Sequence, residues 1–312
     1  MSDAGGNGTG TGGTDATNAG GNATGTTGTD ATNAGGNATG TTGTDATNAG
    51  VSGTVTGGTL QDARAALRER QGPGARYDSP QAPARELAWA RLGTAYIARC
   101  LDDLTDSQLD GPSLLPGWTR RHVVAHVGYN ARALSRLVEW AGTGTETPMY
   151  ASPEQRDAEI LRGATLPARA LRSLFVHSAA HLDVEWRDLP GPAWDARVRT
   201  AQGRVVPARE TAWMRAREVW THAVDLDDGA SVRDFPPDLI DALLADVLRA
   251  WERRGERVDL TLAPPGAERV VVGTGGPTVT GAPSALVRWL TGRGAHGVTS
   301  DSGGLPVVPR WF

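Results

Sequence analysis

Lysine is absent from this chain: all 31 basic residues are Arg, a bias that goes with a high-GC bacterial genome. Cysteine is nearly absent too. The single Cys100 excludes an intramolecular disulfide framework and fits a reducing cytoplasm. Within "AYIARCLDDL" it reads as a small buried helix residue rather than a catalytic thiol. No run of about 18 apolar residues is available to span a membrane. The N-terminus has neither the basic region nor the apolar run of a signal peptide, so a cytoplasmic location without a membrane partner is expected. A formal net charge of −4 supplies no basic field, and nucleic acid is therefore not an expected partner.

Absences also divide the chain. There is no aromatic residue before Tyr77, no Leu before Leu60 and no Arg before Arg64. From Gly13 to Gly50 the segment "GTDATNAGGNATGTT" recurs every fifteen residues, placing Asp15, Asp30 and Asp45 in equivalent positions. A Gly/Thr/Ala/Asn segment buries too little apolar area to offset its conformational entropy, so residues 1–57 are expected to be disordered. A short repeat can instead announce a stacked β-solenoid, but no regularly placed Leu, Ile, Val or Phe would fill such a coil. The Asn-x-Thr triplets at Asn22 and Asn37 would matter only in a secreted protein.

The remaining ~255 residues suffice for one large or two small domains. Residues 58–83 read as a short helix, "LQDARAALRER", and a linker, "QGPGARYDSPQAP". Leu87, Ala90, Thr94, Ile97, Leu101 and Leu104 then recur at spacings of three and four, which predicts an amphipathic helix. A second helix starts in "GWTRRHVVAHVGYNARALSRLVEWAG" with Thr119 as N-cap and an apolar face of Val123, Val127, Leu134, Leu137, Val138 and Ala141. "SPEQRDAEI" opens a third with Ser152 as N-cap, Pro153 at the first position and Gln155 in a capping-box pattern. Leu171, Leu174, Phe175, Ser178 and Leu182 define a fourth over about 167–185, and a fifth runs over about 207–226. Long helices with modest connections imply an antiparallel bundle over 84–229. Beyond Gly229 a helix at "LIDALLADVLRAWERRG", the strand patterns "RVDLTLA", "RVVVG" and "TVTG", a short helix at "PSALVRWLTG" and the closing "LPVVPRWF" imply a small α/β domain over 230–312. The expected fold class is α+β.

Within "MRAREVWTHAVDLDDG" a carboxylate and an imidazole fall four residues apart. At about 100° per residue, Thr211, Met214, Glu218, His222 and Asp225 form one stripe, bordered by Val219 and Leu226. Trp213, Ala216, Trp220, Ala223 and Val224 occupy the other side. Apolar groups on both flanks keep Glu218 and His222 off a freely solvated face, and a buried carboxylate needs a partner or a metal. Glu and His at i and i+4 offer two ligands from one rigid element, with a third to come from elsewhere. Among the other histidines of the helical region, His126 lies about 60° from the centre of its helix's apolar face. His122, His181 and His177 lie at about 100°, 90° and 130° from theirs. "HVVAH" and "HSAAH" both offer i, i+4 pairs, yet His126 is the geometric choice. A buried Glu–His hydrogen-bonded pair with unrelated surface histidines is the alternative. A metal here could be catalytic zinc or non-haem Fe(II).

At these residues the sequence resembles the mycothiol-dependent maleylpyruvate isomerases, members of the DinB/YfiT-like metal-binding bundle superfamily. The likeness covers about residues 85–312. It is carried by "ARLGTAYIARCL", "GWTRRHVVAHVGYNARAL", "TGTETPMYASPEQRDAEI", "RVVPARETAWMRAREVWTHAVDL", "GRGAHGVTS" and "VPRWF". The short "GWT…AH" element marks only the superfamily, whereas "ETPMY" and "REVWTHAVDL" together mark the isomerase. The fifteen-residue repeats have no counterpart there.

The resemblance implies an N-terminal four-helix bundle, a C-terminal α/β domain, and a zinc ion held by His126, Glu218 and His222 with an open fourth position. It also implies a catalytic Arg matching Arg293 of "LTGRGAHG". Read by itself, Arg293 just past a helix end would simply satisfy terminal carbonyls. The implied reaction is isomerisation of maleylpyruvate to fumarylpyruvate in gentisate degradation with mycothiol as coenzyme; a monomer is expected. A thiol of pKa near ~8.5 is only a few per cent ionised at neutral pH, so full deprotonation on zinc raises the nucleophile population roughly thirty-fold, about 2 kcal/mol. Two other functions fit the same motifs: a mycothiol S-transferase acting on another electrophile, in which the thiol is consumed, and a non-catalytic metal-binding sensor module.

Overall fold

A computed structural model of the protein describes residues 77–311. The expectations for residues 1–57 and for a helix in "LQDARAALRER" lie outside the described residues. The described residues all fall in one unit by their contacts. Among the described residues the fold is α+β, with seven α-helices and two small sheets.

The helical part begins with α1 (Ala84–Asp103), α2 (Arg120–Thr143), α3 (Pro153–Ala164) and α4 (Ala168–Asp188). The apolar stripes read from the sequence face inward: Leu87, Ala90, Ile97 and Leu101 of α1, and Leu171, Phe175 and Leu182 of α4, are buried. Two short strands, β1 (Arg197–Arg199) and β2 (Val205–Pro207), pair antiparallel. They precede α5 (Glu210–Asp225). The predicted helix over about 207–226 therefore starts three residues later, because Val205–Pro207 is drawn into the hairpin.

Packing pairs α2 with α4 and α3, α1 with α5, and α2 with α5. Gly93 is what allows α1 its close approach to α5: a Cβ there would lie 2.5 Å from the Trp220 indole nitrogen. That indole donates to the Trp89 carbonyl at 2.9 Å. α3 is started by its cap. The Gln155 N–H donates to Ser152 Oγ at 3.2 Å, while Gln155 Oε1 accepts from the Ala151 N–H at 2.7 Å, one residue further back than a strict capping box.

After α5 come α6 (Pro237–Arg254), β3 (Leu260–Ala263), β4 (Val270–Val272), β5 (Thr278–Gly281), α7 (Pro283–Leu290) and β6 (Val298–Ser300). The sheet order is β4-β3-β5-β6, with β3 and β5 parallel and the outer pairs antiparallel. The closing "VPRW" is strapped onto α6. Trp251 donates to the Pro309 carbonyl at 3.1 Å, and Trp311 donates to Asp246 at 3.1 Å. Asp246 also pairs with Arg217 of α5 at 3.3 Å, which joins the C-terminal elements to the helical ones.

Candidate metal centre

The N-terminus of α2 and the C-terminus of α5 are tied together by the "LLPGWTRRH" segment. Arg120 donates to the Asp227 carbonyl at 2.9 Å, and the Leu114 N–H donates to the Asp225 carbonyl at 3.0 Å. About two and three turns further along α2, the Val127 carbonyl and Asn130 Oδ1 accept from Arg215 of α5 at 2.7 and 3.0 Å. These contacts fix the register of the two helices, and with it the meeting of His126 with Glu218 and His222.

His126 Nε2 lies 2.9 Å from Glu218 Oε2, and His222 Nε2 lies 3.1 Å from the same oxygen. One ligand atom from each of the three residues falls within 4.8 Å of the others. The imidazole rings meet edge to face, with centroids 4.7 Å apart. Trp118 packs edge to face on His126, with ring centroids 5.7 Å apart. Nothing in the local spacing of Trp118 signals that position.

The other histidines of the helical part are accounted for separately. His122 Nδ1 is 3.2 Å from the Thr119 N–H and 2.8 Å from Thr119 Oγ1, so it serves the start of α2. His177 and His181 are exposed, and His181 pairs with Glu185 at 3.2 Å. "HVVAH" and "HSAAH" thus contribute one histidine to the cluster between them.

Asp225, fully buried, completes a chain of charges. His222 Nδ1 meets Asp225 Oδ2 at 2.8 Å. Arg293 reaches the same carboxylate from the C-terminal part, donating from Nε to Oδ1 at 2.9 Å and from Nη2 to Oδ2 at 2.6 Å. Its Nη1 donates to the Thr291 carbonyl at 2.7 Å, so it also satisfies the end of α7. Gly292, with φ 79°, makes the left-handed turn that places it there. The "ETPMY" loop is anchored beside α2: Thr147 Oγ1 donates to the Arg136 carbonyl at 3.0 Å, and Arg136 binds the Met149 carbonyl.

Electrostatics follow from burial and these contacts. Burial lowers the His126 pKa and keeps that imidazole neutral against the pull of Glu218. Burial opposes the Glu218 carboxylate, but hydrogen bonds from His126 and His222 overcome it and hold its pKa well below the usual range. For His222 burial is again the opposing effect. The hydrogen bonds to Asp225 and Glu218 prevail and raise its pKa to about 9. Asp225 is likewise held low, against burial, by His222 and Arg293.

Two imidazole nitrogens and one carboxylate oxygen converging from two helices are the donor set of a three-residue metal site with open positions. His126 Nδ1 is buried without a partner among the described residues; Nε2 is the nitrogen aimed at the cluster. Asp225 holds His222 by Nδ1 so that Nε2 faces the same point, as a carboxylate behind a ligating histidine does.

Fold and cluster together define an α+β protein with a candidate metal centre between two helices. The family described as Mycothiol maleylpyruvate isomerase N-terminal domain matches residues 90–227, and that described as MDMPI C-terminal domain matches residues 234–310. The chain belongs to the mycothiol-dependent maleylpyruvate isomerase family. A crystal structure described as the mycothiol-dependent maleylpyruvate isomerase is 46% identical, with a TM-score of 0.71, over 75% of this chain and 98% of the other. The structure of a variant of that enzyme with one histidine replaced by alanine matches over the same shares at 46% identity and a TM-score of 0.70. Comparison with curated proteins finds no match.

Proposed function

We propose that this protein is a zinc- and mycothiol-dependent isomerase that converts maleylpyruvate to fumarylpyruvate in gentisate degradation. The observation that carries the reading is the convergence of His126, Glu218 and His222 on one point in a chain 46% identical to a solved mycothiol-dependent maleylpyruvate isomerase. An N-terminal four-helix bundle of α1, α2, α4 and α5 with a C-terminal α/β domain, behind a low-complexity tail, is the architecture we infer. A cytoplasmic monomer is the form we infer; no helix of the described residues is long and apolar enough to cross a membrane.

His126, Glu218 and His222 would hold the zinc ion. When bound, zinc and mycothiol supply a thiolate nucleophile, by whose addition and elimination the cis C=C bond is made single long enough to rotate. Cys100 cannot take this role, because it is buried and burial raises its thiol pKa. Asp225 fixes the His222 ring and, through the same carboxylate, the Arg293 side chain. Arg293 keeps further Nη protons beyond those given to Asp225 and Thr291. We assign them to a substrate carboxylate or to the enolate charge that develops when the alkene is attacked.

Removal and return of the metal tests the reading. Turnover should vanish after chelation and return with one zinc per chain, and His126→Ala should prevent that return. Full turnover by chelated protein would contradict it.

A further inference from the structure

The β1–β2 hairpin forms one side of a cavity of about 600 Å³, within the size range of small-ligand sites. The first turns of α1, the first half of α5 and the later part of α6 supply the other walls. None of His126, Glu218, His222, Asp225 and Arg293 lines it, so the cavity is separate from the metal centre. Six arginines do line it, Arg85, Arg204, Arg209, Arg217, Arg249 and Arg253, against three carboxylates, Glu86, Glu210 and Asp246. Arg85 pairs with Glu86 at 2.8 Å, and Arg209 pairs with Asp195, outside the lining, at 2.7 Å. With Asp195 counted, two positive charges are left over.

The surplus is gathered at one end. Arg249 and Arg253 stand one turn apart on the face of α6 that carries Asp246. That single carboxylate serves Arg217 at 3.3 Å, Arg249 at 3.9 Å and the Trp311 indole at 3.1 Å. Arg204 comes from the hairpin turn, where its carbonyl accepts from the Thr200 N–H at 2.8 Å and its N–H donates to Thr200 Oγ1 at 3.2 Å. Among the described residues neither Arg204 nor Arg253 forms an ion pair. Both side chains are exposed, within reach of a ligand. Partial burial lowers the Arg253 pKa, and the charges of Arg204, Arg249 and Arg217 lower it further against the pull of Asp246. These guanidiniums therefore repel one another, at a cost that a bound anion relieves. Beside them the wall is apolar, with Val205 46% exposed and Pro207 and Trp213 half-buried.

We propose that this cavity binds a phosphomonoester with a partly apolar body, its phosphoryl group between Arg204 and Arg253 and its body against Trp213 and Val205. A phosphomonoester carries about two negative charges at neutral pH, which matches the surplus. It also concentrates them on one group, as the gathering of Arg204, Arg249 and Arg253 at one end requires. Planar guanidinium forks suit phosphate oxygens, and the apolar body follows from the wall beside them. The proposal does not depend on the isomerase reading, because it uses none of the groups of the metal centre.

Isothermal titration of the zinc-loaded full chain with phenyl phosphate tests it, beside phenol and inorganic phosphate as the body and the charge alone. Saturable binding of phenyl phosphate is expected, with each fragment weaker by roughly tenfold or more. Arg204→Gln combined with Arg253→Gln should weaken phenyl phosphate by a similar factor while zinc content and isomerase turnover stay unchanged. Both side chains are exposed, so the fold does not rest on them. His126→Ala should leave phenyl phosphate binding intact. The proposal is overturned by no binding at ~10 mM phenyl phosphate, by phenol or inorganic phosphate binding as tightly, or by binding that survives the double substitution. It is equally overturned by turnover lost along with binding, which would make the cavity part of the isomerase site, or by binding lost in His126→Ala, which would place the phosphate at the metal centre.

Discussion

Glu218 Oε2 stands between two imidazole nitrogens at 2.9 and 3.1 Å, and this shared oxygen sets how the centre responds to pH. His222, with its pKa raised from 6.5 to about 9, contributes stability to the metal-free fold that is complete below pH 6.5 and lost as pH rises through about 9. Glu218, shifted down from 4.5, contributes stability present above that value and lost as pH falls through its folded pKa. A metal ligand must be a neutral imidazole. Zinc binding at pH 7.5 should therefore release about one proton from His222, and affinity should climb with pH until about 9. Titration calorimetry in buffers of different ionisation enthalpy reads this, and a buffer-independent heat would contradict it.

Asp225→Asn should weaken zinc by roughly 10- to 100-fold, measured by chelator competition, because it removes the charge that orients His222. Arg293→Ala should lower turnover sharply with zinc content intact; loss of the metal as well would show that Asp225 couples the two functions too tightly to separate. His126 was legible in the sequence because the angular distance from an apolar stripe is a local quantity. Arg293 was not. Its side chain meets Asp225 across a separation of 68 residues, and only the resemblance to a family singled it out.

At the scale of elements, the long helices could be read from period and caps because each carries a complete buried face. The three-residue strands β1, β2 and β6 carry too few residues to show an alternation, and their existence depends on partners elsewhere in the chain. The use of His122 at the α2 start was hidden for a related reason: a ring nitrogen in place of the usual Glu or Gln three residues after the cap falls outside the capping-box pattern. α1 and α5 meet where Gly93 leaves room for Val219 and Trp220. Gly93→Ala would force a Cβ into that contact and should destabilise the fold by about 1–3 kcal/mol, seen as a lowered midpoint in thermal or denaturant unfolding. An unchanged midpoint would mean that the two helices separate without cost.

For the whole molecule, the family matches begin at residue 90 and the solved isomerase aligns with 75% of the chain. Residues 1–57, with their fifteen-residue repeat, carry none of the groups assigned to the centre. Their deletion should leave activity and melting temperature nearly unchanged; a large loss of either would make the repeats part of the working unit. Thiol accounting separates coenzyme-dependent isomerisation at the metal cluster from S-transfer. The decisive measurement is turnover of maleylpyruvate by the zinc-loaded protein with and without mycothiol, following fumarylpyruvate and total free thiol together. An isomerase gives product only when mycothiol is present, with the thiol conserved. Consumption of thiol in step with turnover, or no product from protein that retains its zinc, would contradict it.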